Sequence, residues 1–179
     1  MNYILSFLLG CLSSILASFL FLYYVLTILR PRIAISPYIS YAENYDVPGQ
    51  NVYYFKFINQ SRHPAFDVRL RICKLQKIPT GNGQMHEKRA DLNLKVKFLA
   101  HIPKYKKIKK DSIFAGHAIV FTCLDDIRPV LLDSNQCVEV QVILRHGLTG
   151  LGKVYKHEFS TINTVKDGEF DFGNNLTVS

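Results

Sequence analysis

A run of lysines near the middle of the chain is the part of the sequence best suited to binding chemistry. Residues 101–110 read His-Ile-Pro-Lys-Tyr-Lys-Lys-Ile-Lys-Lys, and the cations of this run are Lys104, Lys106, Lys107, Lys109 and Lys110. A basic side chain near an anionic membrane contributes about 1 kcal/mol, so the five lysines could supply at most about 5 kcal/mol. That is enough to dock a loop on a lipid surface or to hold a polyanion. A solvated loop is the alternative interpretation, because charge runs commonly lie on wet faces.

Two arginines that flank a proline form a second cationic site, directly after a long apolar stretch. Arg30 and Arg32 surround Pro31, and no Lys or Arg precedes them. Arginines just inside a bilayer lie near the headgroups, so both are candidates for binding anionic phospholipid. A stop-transfer signal, which only sets the orientation of a membrane segment, explains the same two residues.

The sequence shows no residue pattern that would support catalysis. Its six histidines do not have the paired spacing of a zinc or iron site: His63, His86, His101, His117, His146 and His157. The adjacent acids Asp125 and Asp126 precede Ile-Arg-Pro, a context typical of a turn. There is neither a Gly-rich phosphate loop nor a G-x-S-x-G elbow. We therefore expect a protein that is not an enzyme and that holds no metal and no cofactor.

The N-terminal stretch has the length and composition of a membrane span. Residues 1–29 contain no Asp, Glu, Lys, Arg or His, and residues 4–29 are mostly Leu, Ile, Phe, Val and Tyr. About 20 helical residues cross a hydrocarbon core of about 30 Å, so the stretch can span with room for tilt. A cleaved signal peptide normally has a basic start, a shorter apolar core and a small-x-small cleavage site, and these are missing. The positive-inside bias predicts a single-pass protein of the cell inner membrane, with the N-terminus outside and residues 30–179 cytoplasmic.

Small residues recur along one side of the predicted span. They are Gly10, Ser14, Ala17 and Ser18. Such a stripe lets neighbouring helices approach closely, which favours self-association within the membrane. The alternative is that small residues are simply tolerated in a span.

The remaining 150 or so residues have the commonest size of a single domain. The formal net charge of +8 lies wholly outside the span, which favours an anionic surface or ligand such as phospholipid headgroups, a nucleotide or nucleic acid. The run of lysines lacks the aromatic platform of dedicated nucleic-acid readers, so we expect no such role. The cysteines, at positions 11, 73, 123 and 137, form no C-x-x-C pair. Three of them lie outside the span, and this odd number fits a reducing compartment better than a disulfide framework.

Alternation of apolar and polar residues predicts an antiparallel β-sandwich. Residues 67–75, 92–98 and 138–144 alternate with period two, so each is predicted to be a strand with one buried face and one wet face. Further strands are predicted at residues 52–58, 113–122, 154–162 and 169–172. Turn sequences such as Pro48-Gly49 and Asp167-Gly168 separate them. The predicted division is a transmembrane helix at 1–29, a membrane-proximal linker at 30–41 and a sandwich domain at 42–179.

A series of short segments in the second part of the chain follows one order. They are Leu-Arg-Pro-Arg at 29–32, Phe-Ile-Asn-Gln-Ser-Arg at 57–62, the predicted strand 68–75 with its central Arg71, Gly-His-Ala-Ile at 116–119, Pro129 to Asp133, residues 142–150, Lys-His-Glu-Phe at 156–159 and Asp-Gly-Glu-Phe-Asp-Phe at 167–172. Through these segments the chain, from about Tyr23 onward, resembles the inner helix and cytoplasmic domain of inward-rectifier potassium channels. The segments are collinear with the family over roughly five sixths of the chain.

The resemblance implies an immunoglobulin-like sandwich of the E-set type, assembled with other copies as a fourfold ring. It also implies contact of Arg30 and Arg32 with anionic phospholipid. One departure limits the function: the span contains no Thr-x-Gly-Tyr-Gly filter, whose carbonyls would replace the hydration shell of potassium. We therefore do not expect a selective potassium channel.

Three functions agree with these observations. The first, which we favour, is a membrane-anchored, non-catalytic sensor or interaction protein, a homo-oligomer with four subunits favoured, that binds an anionic ligand such as a phospholipid or a cyclic nucleotide. The second is a ligand-triggered effector of a bacterial defence system that makes the membrane leaky, an analogy from architecture alone. The third is a structural anchor that recruits a cytoplasmic partner.

Overall fold

The computed structural model describes residues 2–27, 31–80, 83–107, 115–146 and 150–179, and it consists of one N-terminal helix followed mostly by β-strands. The elements in chain order are α1 (Asn2–Thr27), β1 (Ile33–Ile35), β2 (Ile39–Asn44), β3 (Val47–Asn59), β4 (Ala65–Thr80), β5 (Gln84–Asp91), β6 (Phe98–Ile102), β7 (Ala118–Cys123), α2 (Arg128–Leu132), β8 (Gln136–His146), β9 (Gly152–Phe159), a 3-10 turn (Ile162–Thr164) and β10 (Val165–Asp167).

Helix α1 confirms the predicted apolar helix. Its 26 residues would extend about 39 Å at 1.5 Å per residue, more than a hydrocarbon core of about 30 Å. Its most apolar window has a mean hydropathy of 2.3, and no part of that window is buried against the rest of the chain. The helix is therefore long and apolar enough to span a membrane. The identity of the membrane and the side on which the domain lies stay predictions.

The strands form two sheets. In the first sheet, β3 pairs with β7 along one edge and with β1 and β2 along the other, and β10 runs parallel to β2. In the second sheet, β4 pairs with β5 and β6 along one edge and with β8 along the other, and β9 pairs with β8. All pairs except β10 with β2 are antiparallel. Two sheets of this kind fit the predicted β-sandwich, and β1 with the start of β2 lies in the segment predicted as a linker.

The core lies between the two sheets and confirms the predicted inward faces of β4 and β8. The inward side chains of these strands are Val68, Leu70, Ile72, Val138, Val140, Val142 and Leu144, and all are buried. They share one cluster with aromatic side chains of the first sheet. The Phe55 ring lies 5.6 Å from that of Phe121 and 5.8 Å from that of Phe159. Burying each such side chain contributes about 1.5–3 kcal/mol, which holds the two sheets together.

The prediction of a strand at 92–98 was wrong. Residues 92–97 form no strand and instead connect the two sheets. The Leu92 amide donates to the Ile72 carbonyl of β4 in the second sheet, and the Lys95 amide donates to the Thr122 carbonyl of β7 in the first sheet. Within this segment Leu94 is the buried apolar residue, while Val96 and Phe98 are exposed. The alternation therefore reflects a connector that touches both sheets in turn. Residues 169–172 likewise form only an isolated bridge from Phe170 to Val178.

The outer face of β8 is not wet as predicted. Glu139 is only 2% exposed, and Gln141 beside it is also buried. The cause is the position of β8 between β4 and β9, which lets long cationic side chains cover the carboxylate. Arg89 Nη1 lies 3.8 Å and Lys156 Nζ 3.6 Å from the Glu139 oxygens.

Candidate anion-binding surface

The end of β3 is organised by one buried amide side chain. Asn59 is 0% exposed, and its Nδ2 group donates to the carbonyls of Pro103, at 2.9 Å, and of His63, at 3.3 Å. Its Oδ1 atom accepts a hydrogen bond of 3.0 Å from the amide of Ser61. An asparagine side chain can supply two donors and two acceptor lone pairs, so this single residue ties the loop after β3 to the segment after β6.

Ser61 in turn connects the segment after α1 to the lysine run. The Arg32 amide donates to Ser61 Oγ at 2.7 Å, and the Tyr105 amide donates to the Ser61 carbonyl at 2.9 Å. A further bond of 2.8 Å runs from the Gln60 amide to the Arg32 carbonyl. Arg32 and the lysines around Tyr105 are therefore brought to one end of the domain, although they are far apart in the sequence.

This end is the one from which the chain continues to α1. Arg32 follows Thr27 by five residues, and an extended chain spans at most about 3.6 Å per residue, so the two Cα atoms are at most about 18 Å apart. If α1 spans a membrane, the cations at this end lie close to its headgroups. We call the exposed set Arg32, Lys104, Lys106 and Lys107 the basic end.

The cations of the basic end have no acidic partner within the described residues. Ion pairs elsewhere do involve exposed basic side chains, for example Arg71 with Asp91 at 2.7 Å and Arg128 with Asp167 at 3.5 Å. Unpaired charges of one sign add to a local positive potential, while ion pairs largely cancel. The arrangement is thus suited to attracting phosphate or carboxylate groups. Arg30, Lys109 and Lys110, also predicted to bind anions, lie outside the described residues.

The sequence did not indicate the contribution of β9 to this end. The Tyr155 hydroxyl donates a hydrogen bond to the Pro31 carbonyl, and Lys153 Nζ lies 4.4 Å from the centre of the Tyr155 ring. Lys153 is exposed and therefore adds a further cation near Arg32. No local signal could have identified it, because its position follows from the pairing of β9 with β8.

Two histidine rings lie close together at the same end. The ring of His63 is 5.1 Å from that of His146. Burial, and secondarily the neighbouring His63, lower the pKa of His146 below its ordinary value. His146 is therefore mainly uncharged at neutral pH and adds little to the positive potential of the basic end.

The small residues of α1 lie on an open helix surface. Gly10, Ser14, Ala17 and Ser18 are all exposed. Ser18 Oγ donates to the Ser14 carbonyl at 2.9 Å, and a Cβ added at Gly10 would meet nothing within 4 Å. The stripe is thus free to contact another helix.

In the described part of the chain, no group of three or more His, Cys, Asp or Glu side chains could hold a metal ion.

Comparison with known proteins assigns no family. A scan against protein-family models finds none that matches the chain, and a search of curated proteins finds no match.

Proposed function

We propose that the chain is a membrane-anchored, non-catalytic sensor or interaction protein whose cytoplasmic domain binds an anionic ligand at the basic end. The ligand class is a phosphate-bearing molecule, either a phospholipid headgroup or a nucleotide. In this proposal α1 spans the cell inner membrane with its N-terminus outside. The domain is then held close to the inner leaflet.

One observation carries this proposal: exposed cations without acidic partners in the described chain are gathered where the domain joins the apolar helix. Arg32 and the lysine run reach that end through Asn59 and Ser61. Basic side chains next to an anionic leaflet gain about 1 kcal/mol each, and the gain falls off within a Debye length of about 8–10 Å. A cationic cluster elsewhere on the domain would gain much less.

We further propose that the domain is an immunoglobulin-like, E-set type sandwich related to the cytoplasmic domain of inward-rectifier potassium channels. Support comes from the two-layer, mostly antiparallel architecture, together with the collinear segments in the sequence. Arg71 lies near the middle of β4, the strand whose central arginine is part of the resemblance. A solved structure of the domain that differed in strand connectivity from this family would contradict the relationship.

Membrane binding is tested with the full chain in lipid nanodiscs. In discs containing phosphatidylglycerol, hydrogen exchange of the segment 98–107 should be slower than in pure phosphatidylcholine, and high salt should remove the difference. Replacing Lys104, Lys106 and Lys107 with Gln should abolish it, because three cations contribute at most about 3 kcal/mol, or about a hundredfold in the docking equilibrium.

The matched control replaces Lys77, Lys88 and Lys166, which are exposed away from the basic end, with Gln. This control should keep the slower exchange. Inositol trisphosphate and a cyclic dinucleotide, added to neutral discs, distinguish a free phosphate ligand from a lipid headgroup. Equal exchange in anionic and neutral discs, with neither soluble ligand giving protection, would refute anion binding at this end.

We also propose that the chain is a homo-oligomer, with four subunits favoured, in which the small-residue stripe of α1 forms helix contacts. The mass of the intact particle in detergent tests this. Gly10→Leu with Ser14→Leu should reduce the mass by weakening close helix approach, while Leu12→Ile and Leu16→Ile serve as a control pair. An oligomer unchanged by the double leucine variant would exclude the stripe as the contact.

A further inference from the structure

A pocket of about 390 Å³ lies on the outer side of the first sheet. Residues 168–179, which we call the C-terminal strap, form one wall, and β7 with the turn before it forms the other. The lining residues from the strap are Phe170, Asp171, Phe172 and Gly173, and those from the β7 side include Gly116, Ala118 and Val120. A volume of this size is within the range of small-molecule sites, about 300–1,000 Å³.

A buried lysine lies at the wall of this pocket. Lys56 is flanked in β3 by the core residues Phe55 and Phe57, so its side chain points to the outer side of the sheet, opposite Val120. It is nevertheless only 2% exposed. Its Nζ atom donates to the Asp171 carbonyl at 2.5 Å, and this is its one hydrogen bond within the described residues. An ammonium group has three donors, so two remain for another acceptor.

The strap is what buries Lys56. Ser40 Oγ donates to the Gly168 carbonyl at 2.5 Å, and Ser36 Oγ donates to the Leu176 carbonyl at 2.8 Å. Ser40 lies in β2 and Ser36 directly follows β1, so the two serines hold the strap against the first sheet at two places. Burial lowers the pKa of Lys56, while the Asp171 charge opposes this. A buried cation is costly, and a bound anion would add to the partial compensation that Asp171 provides.

The rest of the pocket is apolar and has room. The Phe170 ring centre lies 5.9 Å from Lys56 Nζ, and the Phe172 side chain is 56% exposed at the opening. Small residues at positions 115, 116, 118 and 173 leave space that larger side chains would occupy. An occupant would therefore present an apolar body to the aromatic rings and an acidic group to Lys56.

The charges of Lys56 and Asp171 favour an occupant that carries a single negative charge. The hydrogen bond from Thr177 is the main cause that lowers the pKa of Asp171, so this carboxylate stays ionised at neutral pH. Because Asp171 repels every negative charge that an occupant brings, a monoanion is accommodated better than a dianionic phosphate. A carboxylate suits this site, since it accepts charge-assisted hydrogen bonds from an ammonium group.

We propose that this pocket binds a small carboxylic acid with an apolar body, such as an aryl or short-chain alkyl carboxylate, with Lys56 holding its carboxylate. This site is separate from the basic end and does not depend on the function proposed above.

The C-terminal strap nevertheless links the pocket to the lysine run. Asn174 Oδ1 lies 2.5 Å from His117 Nε2, and Asn174 Nδ2 donates to the Tyr105 hydroxyl at 3.1 Å. An occupant that shifts the strap would therefore reach the lysine run.

The test is isothermal titration calorimetry on the full chain in neutral detergent. The probes are benzoate, phenylacetate and hexanoate, each compared with its uncharged amide, which corrects for partition of the apolar body into micelles. We expect the carboxylates to bind and the amides to bind far more weakly. Lys56→Met should weaken carboxylate binding about ten- to a hundredfold, the loss expected for a charge-assisted hydrogen bond.

Two further variants separate binding from folding. Val120→Trp keeps Lys56 but fills the pocket from an exposed position of β7, so it should also reduce carboxylate binding. Lys88→Met, an exposed lysine of β5, should bind as the wild type does. Near-ultraviolet circular dichroism checks that each variant is folded. Carboxylates that bind no more tightly than their amides, or equal binding by wild type and Lys56→Met, would overturn the proposal.

Discussion

Replacing Asn59 with leucine should destabilise the domain and release the lysine run from the end of β3. Leucine has nearly the shape of asparagine but neither donates nor accepts hydrogen bonds. The change removes the bonds of Asn59 to the carbonyls of Pro103 and His63 and to the amide of Ser61. Since Asn59 is 0% exposed, water cannot replace its side chain at this position.

The magnitude follows from the groups left without partners. A buried donor or acceptor that loses its hydrogen bond costs about 1–3 kcal/mol. Pro103 and His63 are half-buried and regain some hydration, and leucine gains apolar burial, so the total lies toward the low end. We expect the free energy of unfolding to fall by about 2–5 kcal/mol, which lowers the melting temperature by about 5–15 °C for a domain of this size.

The assay is thermal unfolding of the full chain in detergent, followed by the near-ultraviolet circular dichroism of its tyrosines. This signal reports the domain, because the micelle maintains α1 when the domain unfolds. Hydrogen exchange of the segment 98–107 should accelerate in the same variant, since the Tyr105 amide depends on the position of Ser61.

Asn51→Leu is the matched control, because Asn51 is an exposed residue of the same strand. Exposed substitutions of this kind usually change stability by less than about 0.5 kcal/mol. If Asn59→Leu and Asn51→Leu unfolded at the same temperature, Asn59 would not organise the basic end, and the observation that carries the proposed function would be lost.

Three further predictions concern the buried cysteines, the pH dependence of stability and a glycine at the start of the C-terminal strap. Burial raises the pKa of both the Cys73 and the Cys123 thiols to about 11, so maleimide at neutral pH should label neither until the domain is unfolded by denaturant. Because burial lowers the pKa of His146 in the folded state, the unfolded chain binds more protons below about pH 6.5. The stability that His146 contributes is therefore present above about pH 6.5 and is lost as the pH falls through the pKa of His146 in the folded state. Urea titrations at several pH values would detect this loss. Gly168→Ala should destabilise the domain more than Gly49→Ala, because both glycines have positive φ but only at Gly168 would an added Cβ clash with the carbonyl oxygen of Ser179. Equal melting temperatures of the two variants would contradict this close approach.

Several features that depend on neighbouring residues in the chain were predicted correctly. The length and apolar character of α1, the inward sets of β4 and β8 and the presence of a cationic run all follow from local composition and spacing. Alternation alone does not report how many neighbours a strand has, however. It could therefore not distinguish the connector at 92–97 from a strand, nor predict that Arg89 and Lys156 would cover Glu139.

The sequence by itself thus determined the apolar helix, most of the strands and the surplus of positive charge. Only the tertiary structure decided that Asn59 and Ser61 bring Arg32 beside the lysine run, and that the C-terminal strap buries Lys56 next to a pocket. The physical reason is that these contacts join residues distant in the chain. Nothing in the local surroundings of a polar residue distinguishes one that will remain in water from one that packing will enclose.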